Sequence, residues 1–187
     1  MARAALSIDP YLAPHTSPGS RLGRLIWAVA YLVLFRFSPR PLHAWRSAVL
    51  RLFGATLGPN CHIYPSARIW APWNLHCDEA ASIGDGAEVY NATLVHLGSH
   101  AIVSQGAYLC GATHAIDDPA FPRVDKPIKL GAYAWVCARA VVGPGVHVGE
   151  GAVLGLASVA TKDLQPWTVY GGAPAQVLKQ RKRGHGA

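Results

Sequence analysis

Branched aliphatic residues recur every six positions through most of this chain. They stand at Leu57, Ile63, Ile69 and Leu75, and resume after a two-residue slip at Ile83 and Val89. After a second slip they continue at Leu97, Val103 and Leu109. A longer break follows, and the series returns at Leu130, Val136, Val142, Val148 and Leu154, with Ala160 next. Glycine follows the anchor at positions 58, 84, 98, 131, 143, 149 and 155. Four residues after the anchor the side chain is often small, as at Cys61, Ala67, Ala87, Ala101, Ala107, Ala134, Ala140, Ala152 and Ser158. A period of six fits neither a helix nor a single strand. It fits a coil with three short flat sides, the anchor pointing inward, the small residue beside it and glycine permitting the turn. Eighteen residues make one coil on this pattern, and coils stack by strand pairing at about 4.8 Å.

The segment before the repeat is patterned differently. Leu25 to Phe35 is an unbroken apolar run between Arg24 and Arg36, too short for the ~20 residues a membrane-spanning helix needs. Ser38-Pro-Arg-Pro41 ends it, and Pro41 is placed to start a second helix. Leu42, Trp45, Val49 and Leu52 form its apolar stripe, with Arg46 and Arg51 off that stripe and Gly54 as the stop. Two readings stay open for residues 21–53. They dock on a membrane surface, with Trp27 and Tyr31 at headgroup level, or they cap the open end of the coil stack. The organisation is then a mobile arm over 1–20, a helical extension over 21–54 and a coiled domain over 55–187 containing an interrupting loop at 115–129.

Charge sharpens the membrane reading. The net charge of +7 sits at the two ends. Residues 1–54 hold seven arginines and one acid, and 179–183 hold four basic residues, whereas 55–178 hold six basic and nine acidic ones. A nucleic-acid-binding domain carries its positive charge on the folded body, so no nucleic-acid partner is expected. Basic ends suit an anionic lipid surface. The four cysteines, Cys61, Cys77, Cys110 and Cys137, form no CxxC pair and read as reduced, small apolar residues. The first twenty residues contain Asp9 and three prolines and no apolar run, so no signal peptide is read. These features place the protein in the cytoplasm, peripheral on the inner membrane face in the docking reading.

The break at 115–129, Ala-Ile-Asp-Asp-Pro-Ala-Phe-Pro-Arg-Val-Asp-Lys-Pro-Ile-Lys, is too polar and proline-rich to be a coil. It leaves the prism as a loop, and such loops carry function. His114 is the last repeat residue before it, at an outward-facing corner place. An imidazole there suits general-base work on a hydroxyl, because its pKa lies near neutral pH. Transfer of an acyl group from a thioester to a hydroxyl needs that base and a donor for the oxyanion, and no acyl-enzyme.

The hexads, together with Ser38-Pro-Arg-Pro41-Leu-His-Ala-Trp45-Arg46, Val103-Ser-Gln-Gly-Ala-Tyr-Leu-Cys-Gly-Ala-Thr-His114, Asp118-Pro-Ala-Phe-Pro122, Ala134-Trp-Val136 and Tyr170-Gly-Gly-Ala-Pro174-Ala, resemble the hexapeptide-repeat acyltransferases of the colanic-acid-biosynthesis type. The resemblance covers roughly residues 21–183. It implies an all-β fold, a left-handed parallel β-helix with N-terminal helices and a short C-terminal helix. It implies acetyl-CoA as donor, no metal, a saccharide hydroxyl as acceptor and a homotrimer with the coenzyme between subunits. His114 takes the place of the family's base. Asp117 takes the acidic position after it, to bind the acceptor or orient the imidazole, and Asn91 that of an acceptor-contacting asparagine. Trp135, Ala138, Leu156 and Thr161 match positions beside the coenzyme, with Lys162 and Arg181 toward its phosphates.

Two rival classes remain from the residues themselves. His96 and His114 are 18 residues apart, one coil, with His100 nearby, so they could stack as in a carbonic-anhydrase-like metal enzyme. A zinc site needs converging ligands, and the His-x4-His spacing of that family is absent. A non-catalytic membrane-associated scaffold is the other.

Overall fold

The computed structural model describes residues 18–182. The arm expected over 1–20 therefore lies outside the described residues, apart from its last three positions, which open a helix at Pro18.

Residues 56–182 wind into a parallel β-helix with three flat sheets. The first sheet stacks Thr56–Leu57, Leu75–Cys77, Val95–Leu97, Ile128–Leu130 and His147–Val148 in parallel. The second runs from His62–Ile63 through Ser82–Ile83, Ile102–Val103, Trp135–Val136 and Val153–Leu154 to Thr168–Gly171. The third stacks Arg68–Ile69, Glu88–Tyr90, Tyr108–Cys110, Val141–Val142 and Val159–Ala160. The anchors point inward as the six-residue period requires. Ile63, Ile83, Leu97, Val103, Leu109, Leu130, Val136, Val142 and Leu154 are completely buried. Each contributes about 1.5–3 kcal/mol over an exposed position, which makes this column the main source of stability.

Two features depart from the sequence reading. The N-terminal coils hold 20 residues, not 18, since Leu57 sits under Cys77 and Cys77 under Leu97. The two-residue slips are both taken up at the corner between the third and first sheets. The second departure concerns glycine. The left-handed backbone needed to turn a corner falls three residues after the anchor, at Asn60, Ala80, His100, Tyr133, Arg139 and Ala157 among others. The glycines directly after the anchor serve a different purpose. A Cβ at Gly58, Gly84 or Gly131 would lie 2.6–2.8 Å from a backbone nitrogen of the next coil. Glycine there allows coils to stack at strand-pairing distance.

Helix α1 (Pro18–Ala30) runs into a π-helical turn (Tyr31–Arg36), and α2 (His43–Leu52) follows. Trp27 and Phe35 are buried against Phe53, and the Trp27 indole donates to the Ile69 carbonyl at 2.7 Å. The headgroup placement of Trp27 does not hold: its ring packs on the β-helix, with Tyr31 edge-on beside it. The stripe read on α2 is also corrected. Arg46, Ser47, Val49 and Leu50 face inward, while Leu42, Trp45 and Leu52 are exposed. The reason is polar. The Arg46 side chain is fully buried and donates to the carbonyls of Ile63 at 2.6 Å and Pro39 at 2.8 Å, and to Ser38 Oγ at 3.0 Å. A hydrophobicity stripe cannot anticipate a buried arginine that satisfies main-chain acceptors. At the other end no helix forms over 168–180. Gln176–Gln180 folds back antiparallel on Thr168–Gly171 and finishes the second sheet.

Replacing Arg46 with alanine takes a donor from the carbonyls of Ile63, Pro39 and Arg40 and from Ser38 Oγ, and removes a buried side chain from the joint between α2 and the β-helix. We expect a loss of about 3 kcal/mol in denaturant unfolding, against under about 1 kcal/mol for Arg51→Ala at the exposed face of α2. Equal effects would contradict a cap anchored by Arg46.

Candidate active site

The corner between the third and first sheets is two residues longer in both N-terminal coils, and in the next coil it releases a hairpin. At Asn91 the side-chain amide is completely buried and closes on Ala71, accepting from its N–H at 2.9 Å and donating to its carbonyl at 2.6 Å. Asn74 ties the same corner by donating to the Asn91 and Ala92 carbonyls, each at 3.0 Å. One coil higher, Gly111 donates to the Tyr90 carbonyl at 2.9 Å, and a Cβ at Gly111 would lie 2.8 Å from that oxygen. Lys126 N–H closes on the Gly111 carbonyl at 2.9 Å. Between these two residues the chain leaves the prism.

The excursion is a β-hairpin. Ala112–His114 pairs antiparallel with Arg123–Asp125, so the loop expected over 115–129 is ordered at its base, and its last residues return to the first sheet at Ile128–Leu130. The tip folds on itself through Asp118, whose carbonyl accepts from Phe121 N–H at 2.8 Å. Phe121 adopts a φ of 44°, a left-handed conformation that is costly for a large side chain and is found where surrounding structure demands it. Its ring stacks on the His114 imidazole with centroids 4.5 Å apart and 12° between planes. Its carbonyl lies 3.0 Å from His114 Nδ1. A carbonyl accepts only, so Nδ1 carries the proton. The lone pair of the neutral ring is then on Nε2, the nitrogen suited to take a proton.

Asp117, matched above to the acidic position, is exposed at the tip, and the group that orients the imidazole is the Phe121 carbonyl. Asn91 is a corner tie rather than a surface group. His96 does not stack on His114. The hairpin consumes the positions that would continue the column, so Lys129 takes the rung above His96 and His76 the rung below.

Beside the hairpin lies a shelf that the sequence reading passed over. Arg123 is the cross-strand partner of His114, and its guanidinium lies 5.8 Å from the Trp70 ring and 5.7 Å from the Tyr90 ring. Arg24 from α1 covers Trp70 at 4.4 Å. Trp70 and Tyr90 meet edge to face at 5.3 Å. Two adjoining clefts, of about 450 and 190 Å³, share Arg68, Ile69 and Trp70 and run from α1 along the third sheet to Tyr108. The available signal was two aromatics directly after the anchors Ile69 and Val89, one coil apart on the outward face.

The residues matched to the coenzyme divide among corners. Trp135 stands outward on the second sheet, 42% exposed, with its indole donating to Ser104 Oγ at 2.8 Å. Ala138 occupies the next corner, where its carbonyl accepts from Ala157 N–H at 3.0 Å, beside Leu156, which is 71% exposed. These three share one edge. Thr161 and Lys162 line a separate cleft of about 300 Å³ with Tyr170 and Pro174. Arg181 is at a third corner, donating to the carbonyls of Tyr133 at 3.0 Å and Gly151 at 2.9 Å under Trp167. Its cationic head is spent on that anchor, away from the Ala138 edge. Burial pushes the Cys137 thiol beside that edge up, so it stays protonated and is a poor nucleophile.

These features match known proteins. No protein-family model matches the chain. A protein of Escherichia coli (strain K12) bearing the name colanic acid biosynthesis acetyltransferase WcaF is 35% identical over 163 residues, 87% of this chain and 90% of that protein. The chain belongs to the hexapeptide-repeat acetyltransferase family. A hexapeptide-repeat acetyltransferase from Vibrio cholerae, solved with acetyl coenzyme A, superposes with a TM-score of 0.78 at 23% identity, covering 91% of this chain and 93% of that one. A galactoside acetyltransferase solved with coenzyme A superposes with a TM-score of 0.81 at 21% identity, covering 90% and 86%. The β-helix of this family is left-handed.

Proposed function

We propose that this acetyltransferase moves an acetyl group from acetyl-CoA to a hydroxyl of a saccharide, with His114 as general base. The observation that carries the reading is the imidazole clamped by one residue. Phe121 supplies both the stacking ring and the acceptor for Nδ1–H, which directs the basic Nε2 lone pair to an acceptor hydroxyl. Nε2 takes the hydroxyl proton as the oxygen bonds to the thioester carbonyl carbon. The carbon–sulfur bond then breaks, and the imidazolium returns the proton to the departing thiolate. A backbone N–H suffices for the oxyanion. Trp135, Ala138 and Leu156 form the edge along which the pantetheine arm would lie.

The aromatic and arginine shelf supports a saccharide carrying an anionic group as acceptor. Flat rings receive apolar sugar faces, and the guanidinium groups of Arg24 and of Arg123, whose Nε donates to Asp125 Oδ1 at 2.7 Å, bring positive charge that suits phosphate or carboxylate. A lipid-linked sugar phosphate satisfies both, and α1 supports that choice. The inner face of α1 and of the π-helical turn that continues it is packed, while Leu22, Leu25, Ile26, Val29, Leu32 and Val33 are more than half exposed. No helix among the described residues is long and apolar enough to cross a membrane. We read this face as resting on an anionic bilayer. The cap and docking roles are thus divided between two faces of one helix.

Because His114 and Trp135 stand on different sides of the same prism, a complete site draws them from neighbouring subunits. A C3 trimer provides that arrangement.

His114→Ala should lower the transfer rate by about 10²–10⁴-fold with acetyl-CoA affinity nearly unchanged. Chains carrying His114→Ala, mixed with chains carrying Trp135→Ala, should recover activity. A rate within a few-fold of the parent removes His114 as base, and failure to recover argues against a shared site. For the membrane, liposome flotation should fall in high salt and on changing Ile26, Val29 and Val33 to serine. Unchanged flotation of that variant would contradict docking through α1.

A further inference from the structure

The outward face of the first sheet carries a column of polar side chains, Thr56, His76, His96, Lys129 and His147, on successive rungs. Parallel rungs place like positions side by side, and the His76 and His96 rings meet with centroids 4.7 Å apart. Asp78 lies two residues beyond His76, so alternation returns its side chain to the same face. Its carboxylate gives one oxygen to each ring. Oδ2 is 3.0 Å from His96 Nε2, and Oδ1 is 3.6 Å from His76 Nε2. One ligand atom from each of the three residues lies within 4.8 Å of the others.

We propose that His76, Asp78 and His96 bind a divalent late first-row transition ion, with zinc the natural occupant. The donor chemistry selects it. Two imidazole nitrogens and one carboxylate oxygen suit zinc, nickel or copper(II), whereas calcium and magnesium want oxygen-rich shells. The geometry fits a tetrahedral ion. Zinc with bonds of about 2.0–2.2 Å holds its donor atoms about 3.3 Å apart, close to the 3.0 and 3.6 Å between the carboxylate oxygens and the two rings. The three side chains are between about a quarter and under a half exposed, which gives an ion access. Three ligands leave a fourth position for water. Lys129 on the next rung separates His147 from the pair, so the ligand set ends at two histidines.

This ion would not serve the acetyl transfer. His114 lies on the hairpin, outside the column. The ion joins the strands Leu75–Cys77 and Val95–Leu97, two adjacent coils just below the hairpin. It would act as a clamp on them, stabilising the folded chain in proportion to its occupancy.

The test uses the full chain without a polyhistidine tag, stripped with a chelator and dialysed, and titrated with zinc chloride by calorimetry. We expect one ion per chain and a rise in unfolding temperature on adding zinc. Asp78→Asn and His96→Gln should each weaken binding at least about tenfold and remove that rise. Their unfolding in chelator should match the parent, while His100→Gln binds zinc as the parent does. Cobalt(II) should give a tetrahedral absorption band in the parent that both ligand variants lose. Absence of binding at micromolar zinc, or equal affinity in parent and both ligand variants, overturns the site.

Discussion

Coils of this β-helix stack at strand-pairing distance, and every other feature is fitted around that approach. Where the anchor column turns outward, backbone meets backbone so closely that only glycine is admitted, as at Gly58, Gly84 and Gly131. The same constraint governs the corner that makes the site. Gly111 sits against the Tyr90 carbonyl, and its own carbonyl holds Lys126. The chain between them can leave and return without breaking the stack. An insertion elsewhere would have to push adjacent coils away from each other. Here the two earlier coils have already widened the corner, and Asn91 and Asn74 satisfy the main-chain groups that widening exposes.

The geometry of the candidate site follows from this neck. Antiparallel pairing fixes His114 opposite Arg123, and the turn at Phe121 sends a ring and a carbonyl back to the imidazole. The hairpin therefore sets two things together: the tautomer of His114 and the placement of an arginine beside the aromatic shelf. Helix α1 brings Arg24 over the Trp70 ring as well. The N-terminal segment thus caps the prism, shapes the shelf and presents an apolar outer face.

Much of this was legible in the sequence because a buried anchor column writes itself as a period. The three-sided coil, the break after His114 and the helical extension are all consequences of which side chains can be inside. What escaped was decided by hydrogen bonds instead. Arg46 reads as a surface charge, yet it is buried by the carbonyls it satisfies. Asn91 reads as a ligand-binding amide, yet it mends a corner. Arg181 reads as a phosphate contact, yet it fastens the last strand. The orienting group of His114 is a main-chain carbonyl, which carries no residue identity. His96 pairs with His76 because the N-terminal coils hold 20 residues, and with Lys129 rather than His114 because the hairpin intervenes.

The central claim is that the Phe121 carbonyl fixes His114 as the Nδ1–H tautomer, with the basic lone pair on Nε2. Nitrogen-15 NMR of histidine-labelled protein, with the His114 signals assigned by their loss in His114→Gln, reads that tautomer directly. The account predicts a protonated Nδ1 and an unprotonated Nε2 in the neutral ring. A neutral ring protonated on Nε2, or rapid exchange between the two forms, would contradict it.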